Sequence, residues 1–307
     1  MSKLVARLGI PVLTVLVLAA CGSSNSSTTS STASTPTTSS SATSTTASEN
    51  ATVAAEVPAA MKSKGTLNVA TEAQYAPNEF IAPNGHTVIG MDADLMNALG
   101  AVMGLKVDLI NSNFETIIPG LAAGRYDIGA SSFTDTKERE KTVDFVDYFS
   151  AGISFYAKST VNPGVTVVGD LCGKAVAVEK GTVEQEAAEA QSKVCAKEGK
   201  KSVTVLIFAG QNAVNLAVSS GRAEVGMADS PVVAYQIKLS NGTFKLVGKS
   251  YNFAPYGFAV PKTTGMTAPL LAALKVIMAD GTYHAILAKW GLLEGAITTP
   301  TINGAKS

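Results

Sequence analysis

Short apolar or β-branched runs alternate with segments of helical periodicity over most of the chain after Lys64. In the first cycle, residues 66–71 are predicted as a strand, residues 93–103 as a helix capped by Asp92, and residues 105–110 as a second strand. This alternation is typical of βαβ units built around mainly parallel sheets. It therefore predicts an α/β fold.

The same alternation starts again after Cys172. Two apolar stretches, residues 152–157 and 256–260, flank this second series and are the natural crossings between two lobes. We therefore expect a second lobe, residues 156–255, inserted into a first lobe that comprises residues 65–155 and 256–295, followed by a tail over residues 296–307. The remaining predicted strands are residues 126–130, 175–178, 203–207 and 225–227, and the remaining helices are residues 114–123, 136–141, 183–196, 211–220, 231–239, 268–279 and 283–290.

The balance of charge argues against several partners and chemistries. With 24 basic and 24 acidic side chains, the chain has no broad positive surface for nucleic-acid phosphates. Its two histidines and three separated cysteines lack the spacing of a metal or redox site. Two histidines also leave few candidates for the base of a Ser-His-Asp triad. We therefore expect no nucleic acid, no metal and no cofactor.

The first residues have the pattern of an export signal. Lys3 and Arg7 precede an apolar run over residues 8–20, which suits a signal-peptide core but is too short to cross a bilayer comfortably. Residues 18–22, Leu-Ala-Ala-Cys-Gly, resemble the lipobox of bacterial lipoproteins. That resemblance implies cleavage after residue 20 and a diacylglycerol on Cys21. The alternative is an ordinary signal peptide with an incidental cysteine.

The composition after Cys21 is almost wholly Ser, Thr and Ala as far as Ser48. It offers too little apolar surface to offset the entropy of ordering, so residues 21–64 are predicted as a flexible tether. Cys172 and Cys195 are then an even pair in an oxidising compartment, and we expect a disulfide between them. Two buried free thiols are the alternative.

Candidate binding groups follow several predicted strands. Residues 131–139 could bring backbone N–H groups, hydroxyls and the Arg139 guanidinium onto one anion, of which a carboxylate is the natural example. The alternative is that the serines and threonines cap a helix whose charged residues face solvent. Gly181, Thr182 and Val183 could add donors to that anion, although Gly-Thr is also a common helix start.

Other groups complete a pattern suited to a zwitterion. Asp229 stands at the carboxyl end of a predicted strand and could pair with an ammonium group, or it could serve with Ser230 as a helix cap. Tyr75 and Phe114 could enclose an aliphatic stem, with Glu72 facing a polar or cationic tip. The alternative is rim packing for the rings and an exposed Glu72.

Seven blocks between residues 65 and 293 resemble, in order, the polar amino-acid solute-binding proteins of bacterial ABC importers. The blocks are residues 71–80, 90–95, 118–127, 131–139, 143–145, 228–231 and 281–283. The resemblance implies a two-lobed, periplasmic-binding-protein-like fold of type II with two hinge strands, which closes on one amino acid and docks on a permease. Asn78 and Val183 depart from the residues frequent in that family.

The resemblance also implies a role for each candidate. Arg139 would grip the ligand α-carboxylate, and Asp229 would receive the α-ammonium. Tyr75 and Phe114 would flank the side chain, and Glu72 would contact its tip, which favours an amide-bearing or cationic ligand. Ser132, Thr134 and the backbone of Thr182 and Val183 would aid Arg139, and Ser132 would also help Asp229 to receive the ammonium. Ser131, in the same segment, is a further ligand-binding candidate.

We therefore expect a monomeric, lipid-anchored binding protein on the outer face of the cell membrane that delivers a polar amino acid to an ABC importer without catalysis. One rival is an exported cyclohexadienyl dehydratase on the same fold, for which Glu72 or Glu179 could be the general acid. A ligand-gated sensor module is another, and it would need a further subunit.

Overall fold

The computed structural model describes residues 47–306, so the predicted signal peptide, Cys21 and most of the Ser/Thr-rich segment lie outside the described residues. The strands are β1 (Thr66–Thr71), β2 (Gln74–Tyr75), β3 (Glu79–Ile81), β4 (Val88–Ile89), β5 (Lys106–Asn111), β6 (Ile128–Gly129), β7 (Val143–Lys158), β8 (Ala175–Glu179), β9 (Thr204–Phe208), β10 (Val225–Asp229) and β11 (Phe244–Pro261). The α-helices are α1 (Ala51–Glu56), α2 (Ala59–Lys64), α3 (Met91–Val102), α4 (Phe114–Ala122), α5 (Val183–Lys197), α6 (Gln211–Ser219), α7 (Ser230–Leu239), α8 (Thr267–Ala279) and α9 (Thr282–Trp290).

Eight strands form one continuous hydrogen-bonded series in the order β5-β1-β6-β11-β7-β10-β8-β9. At one end β1 pairs in parallel with β5 and β6, and at the other end β8 pairs in parallel with β9 and β10. In the middle, β7 and β11 run antiparallel with 16 and 18 residues, which is long for strands of globular proteins. These two strands connect a first half, around β1, to a second half, around β8. The architecture is the predicted mixed α/β fold.

Each half has its own apolar core. In the first half, Leu67 and Val69 of β1 pack with α3 and with Leu274 and Ile277 of α8. Met278 of α8 is partly buried against the same cluster. Within residues 47–306 no single helix is long and apolar enough to cross a membrane; α8 and α9 together reach that length but are bent by 79°.

The core of the second half includes the predicted disulfide. Val176 and Val178 of β8 pack against Cys195 of α5, and Cys195 is bonded to Cys172 with 5.6 Å between the Cα atoms. The disulfide is therefore confirmed, and the alternative of two free thiols is wrong.

The predicted tether ends too late in the sequence. Residues 51–64 form α1 and α2, and Val53, Val57 and Met61 are buried in the core of the first half. All three lie in one apolar cluster, so together they bury enough apolar surface to order the segment. The side chain of Asn50 caps α1 by accepting hydrogen bonds from the backbone N–H groups of residues 52 and 53. The flexible-tether prediction is therefore wrong for residues 51–64.

Asp92 is not the cap of its helix. Helix α3 begins at Met91, so Asp92 lies inside the helix. The fully buried Asp92 carboxylate accepts hydrogen bonds from Ser132 N at 2.9 Å and from Tyr148 Oη at 2.7 Å. Gly90 precedes the helix at φ 134°, and a Cβ there would lie 2.1 Å from Asn78 O. Glycine therefore permits the close approach that turns Asp92 inward.

The C-terminal segment packs on the first half. Ile302 forms a β-bridge with Val146, and Asn303 Oδ1 accepts a hydrogen bond from Phe145 N at 2.8 Å. Ala305 N donates to Asp135 Oδ2 at 3.0 Å. Residues 302–305 are therefore part of the folded unit.

Candidate functional site

A small cavity lies between the two halves, at the carboxyl ends of several strands. Glu72 follows β1, Glu179 ends β8 and Asp229 ends β10. Ligands of open α/β sheets bind at this edge because loops and helix N-termini converge there. All ten residues predicted to bind ligand line the cavity: Glu72, Tyr75, Phe114, Ser131, Ser132, Thr134, Arg139, Thr182, Val183 and Asp229.

The guanidinium of Arg139 reaches both halves. Its Nη1 donates a hydrogen bond to Thr134 O at 2.8 Å, and its Nη2 donates to Gly181 O at 2.9 Å. The guanidinium also lies over Phe114 and Phe133, with its Cζ atom 5.4 and 5.7 Å from the two ring centroids. These contacts hold a planar donor at the cavity wall, where it can meet an anion through two N–H groups.

The alternatives left open for residues 131–139 are resolved in part. No α-helix follows the serines; the predicted helix over residues 136–141 is only a 3₁₀ turn, Arg139–Lys141. Lys137 pairs with Glu140 at 2.8 Å on the surface, as the solvated-face alternative requires. Arg139 alone of the charged run Lys137–Lys141 lines the cavity.

Ser132 is held against the cavity in an unusual conformation. Its φ is 48°, a region that non-glycine residues rarely adopt. Its hydroxyl donates to Glu79 Oε2 at 3.1 Å and accepts from Asn78 Nδ2 at 2.8 Å, while its N–H is held by Asp92. Ser131 Oγ accepts from Glu72 N at 2.9 Å. The buried carboxyls of Glu79 and Asp92 thus fix Ser132, and the backbone N–H of Glu72 fixes Ser131.

Thr182 and Val183 bring the start of α5 to the cavity. Thr182 is the N-cap, and its Oγ1 accepts from Gln185 N at 3.2 Å and donates to Glu179 O at 2.8 Å. The first N–H groups of a helix have no partner within the helix, and the helix dipole favours an anion beside them. The same threonine therefore caps α5 and borders the cavity.

Asp229 and Tyr75 join the two halves on another wall. Tyr75 Oη donates to Asp229 Oδ2 at 3.0 Å and accepts from Asp229 N at 3.3 Å. Burial raises the pKa of Asp229 to about 6, against the opposing effect of these hydrogen bonds. Asp229 immediately precedes α7, but its side chain forms no cap hydrogen bond within that helix. The carboxylate is available to a cation in the cavity.

Glu72 is buried rather than exposed, at 2% of its accessible surface, so the exposed-Glu72 alternative is wrong. Phe114, the first residue of α4, stacks on Phe133 with 4.6 Å between ring centroids. Burial is the largest cause that raises the pKa of Glu72 to about 7. An ionised Glu72 would be stabilised by a positive group placed beside it.

Sequence reasoning did not assign three further cavity residues to ligand binding. They are all acidic: Glu79, Glu179 and Glu184. Glu179 ends a strand, as Asp229 does, and Glu72 follows one directly; that position is the signal that could have found Glu179. Glu79 and Glu184 carry no comparable signal, since one lies in the short strand β3 and the other in the first turn of α5.

The cavity is strongly acidic. Of the described residues that line it, five carry carboxyl groups and one, Arg139, carries a guanidinium. Burial raises the pKa of Glu79 and of Glu184 well above the ordinary value of a glutamate and that of Glu179 to about 10, so these three groups tend to be neutral. Even so, the two remaining carboxyl groups, Glu72 and Asp229, outnumber the guanidinium. Residues 47–306 contain no cluster of three or more side chains that could hold a metal ion.

Comparison with known proteins identifies relatives along most of the chain. The family model of the bacterial extracellular solute-binding proteins, family 3, matches residues 67–293. The arginine-binding protein ArgT of Corynebacterium glutamicum is 36% identical over 252 residues, which cover 82% of this chain and 82% of the relative. The ABC transporter arginine-binding protein 1 of Escherichia coli is 30% identical, over 73% of this chain and 90% of the relative.

Solved structures agree with these relatives. An ancestral arginine-binding protein bound to arginine superposes with a TM-score of 0.67 and 34% identity, over 74% of this chain and 98% of that one. The ancestral amino acid-binding protein AncCDT-1, a precursor of cyclohexadienyl dehydratase, gives 0.65 and 34%, over 75% and 97%. That neighbour is itself a binding protein, so it does not favour the dehydratase alternative. The curated relatives are binding proteins, not enzymes.

Proposed function

This chain belongs to the bacterial extracellular solute-binding proteins of family 3, and we propose that the solute it carries to its ABC importer is an amino acid with a cationic side chain, arginine foremost. The observation that carries this proposal is the excess of acidic side chains around the cavity. A free amino acid brings one carboxylate and one ammonium, which Arg139 and Asp229 can match. The acids that remain call for a second positive charge on the ligand.

The main chain of the ligand lies between Arg139 and Asp229 in this proposal. Arg139 binds the α-carboxylate through its free N–H groups, aided by Ser131, Ser132, Thr134 and the backbone of Thr182 and Val183, as their place around the cavity supports. Asp229 receives the α-ammonium. Each hydrogen bond to a charged group contributes about 1.5–3 kcal/mol, so a few are enough for micromolar affinity after ordering costs.

The side chain of the ligand lies between Tyr75 and Phe114 and ends at Glu72. Two rings suit an aliphatic stem, since burial of each methylene contributes about 0.8 kcal/mol. The carboxylate of Glu72 then faces the guanidinium or ammonium group at the tip. The sequence predicts a ligand whose side chain bears either an amide or a positive charge. We propose the second of these.

The two halves act as lobes that close on the ligand, with bounds at residues 65–155 plus 256–295 for one and 156–255 for the other. Contacts between the halves at the cavity support closure: Arg139 with Gly181, and Tyr75 with Asp229. The hinge lies where β7 and β11 cross, and the β11–β7 pairing is irregular between Val247 and Gly257. Ligand would shift the population toward the closed form.

Outside the cytoplasm, the protein is anchored as a monomer through a lipid on Cys21. The lipobox-like residues 18–22 and the Ser/Thr-rich composition that follows support this arrangement. Radiolabelled lipid precursor incorporated by the wild-type chain but not by Cys21→Ala would test the anchor. Equal incorporation by both would refute it.

Calorimetry with each common amino acid tests the ligand. We expect arginine to bind with the lowest dissociation constant and lysine to follow, because both carry a second positive charge. Glutamine and other neutral residues should bind at least tenfold more weakly. Tightest binding of glutamate or aspartate, or no binding of any amino acid, would contradict the proposal.

A further inference from the structure

Glu72 and Glu179 approach each other from opposite halves of the molecule. Glu72 follows β1 of the first half, and Glu179 is the last residue of β8 in the second. Both are 2% exposed, both line the cavity, and each carboxyl shifts the pKa of the other. Two neighbouring carboxyls can share a hydrogen bond only when one keeps a proton, because ionised carboxylates only accept.

Neither carboxyl is satisfied by the protein around it. Glu72 Oε1 and both side-chain oxygens of Glu179 are buried without a conventional donor among residues 47–306. Buried polar atoms of folded proteins nearly always have partners, and an orphaned carboxylate is costly. A positively charged, multidentate donor placed between the two would satisfy them.

The groups that face this pair are mostly acidic. The acidic groups disfavour a negative charge on Glu72 or Glu179, and the one basic group, Arg139, is hydrogen-bonded elsewhere. From α4, Glu115 raises the pKa of both carboxyls, although it also pairs with Lys180 at 3.6 Å. The other charged groups facing the pair or its neighbours are Glu79 of β3, Glu184 of α5, Asp229 of β10 and Arg139, whose guanidinium is engaged by Thr134 and Gly181.

We propose that Glu179 is a specificity-determining residue that forms, with Glu72, a clamp across the two halves, which exchanges a shared proton for the positive charge of the ligand side chain. The inference rests on the proposed function and deepens it at the side-chain end of the same cavity. A neutral ligand leaves the proton on the pair. A cationic ligand replaces it.

Selectivity for a cationic ligand must then depend on pH. Burial is the largest cause that raises the pKa of Glu72 to about 7 and of Glu179 to about 10, and a bound cation would lower both. The ratio of two affinities changes with pH according to the difference in protons held by the two complexes, whatever the state of the free protein. The complex with a neutral ligand holds more protons, so preference for the cation rises with pH.

Arginine and citrulline are the matched probes, since citrulline replaces the guanidinium with a neutral urea of similar shape. For the wild-type chain, we expect the ratio of citrulline to arginine dissociation constants, measured by calorimetry, to rise at least tenfold from pH 6 to pH 8. One proton of difference corresponds to tenfold per pH unit. A ratio that stays within threefold over this range would overturn the proposal.

Variants of Glu72 and Glu179 test whether these two carboxyls cause the rise of the ratio with pH. Glu179→Gln should lower the arginine preference at pH 8 at least tenfold, and Glu72→Gln combined with Glu179→Gln should make the ratio independent of pH within threefold. Glu198→Gln is the control, because Glu198 is exposed just after α5 and does not line the cavity, and it should keep the wild-type rise. If Glu179→Gln keeps the full preference, or the double variant keeps the rise, the clamp is refuted.

The two proposals fail differently. A wild-type chain that binds arginine with a pH-independent preference would refute the clamp and leave arginine capture intact. A wild-type chain that binds neither arginine nor citrulline at any pH would refute the proposed function itself. Thermal unfolding of each variant distinguishes loss of folding from loss of binding, and the wild-type pH series requires no substitution.

Discussion

At the scale of single residues, Arg139 is the most important side chain of the candidate site, because its guanidinium both joins the two halves and lines the cavity. It hydrogen-bonds to Thr134 O in the first half and to Gly181 O in the second, while it faces the cavity between them. The stacked rings of Phe114 and Phe133 restrict where it can move. A donor held in this way loses little entropy when an anion arrives.

Arg139→Ala should weaken binding of arginine more than tenfold, because it removes a bidentate charged partner of the carboxylate. The loss should be similar for lysine, since every amino acid presents the same α-carboxylate. Calorimetry on the variant measures both. Arg125→Ala is the control: Arg125 is exposed and lies over Tyr126, outside the cavity. Unchanged affinity in Arg139→Ala would refute the assignment.

The sequence indicates those site residues whose position follows from a strand end. Glu72, Asp229 and the start of α5 lie at the cavity for that reason, since parallel strands deliver their carboxyl ends to one edge. Glu184 could not be found in this way. A glutamate in the first turn of a helix is usually a solvated charge, and only the packing of α5 against the cavity buries it.

At the scale of elements, the periodic segments were predictable and the short ones were not. Helices α5 to α9 and strands β8 to β10 lie within a few residues of their predicted bounds because each repeats an apolar spacing over several turns or a whole strand. Strands β2, β3 and β4 have two or three residues each, too few to show any period. Tertiary contacts order them, and these contacts include the approach of Gly90 to Asn78.

The sequence did not predict helices α1 and α2, because they follow directly on a low-complexity segment and were assigned with it to the tether. If they belong to the core, Met61→Ala should lower the free energy of unfolding by about 2 kcal/mol or more, since it opens a cavity among buried apolar side chains. Urea denaturation measures this change. Glu56→Ala, at an exposed position of α1, should stay within about 0.5 kcal/mol of the wild type. Equal stability of Met61→Ala and the wild type would contradict the assignment of residues 51–64 to the core.

At the scale of the whole molecule, the candidate site is a cavity that neither half forms alone. The first half contributes Glu72, Tyr75, Phe114 and Arg139, and the second contributes Glu179 and Asp229. The long strands β7 and β11 keep the halves in one chain while their pairing is interrupted near the crossing. The crossing strands were visible in the sequence as apolar runs, but their full length was not.

A crystal structure of the chain grown with arginine tests the central claim most directly. The account predicts closed lobes, the α-carboxylate on Arg139, the α-ammonium on Asp229 and the guanidinium between Glu72 and Glu179. An empty cavity, or an arginine bound with its guanidinium at Asp229 and its carboxylate toward Glu72, would contradict it.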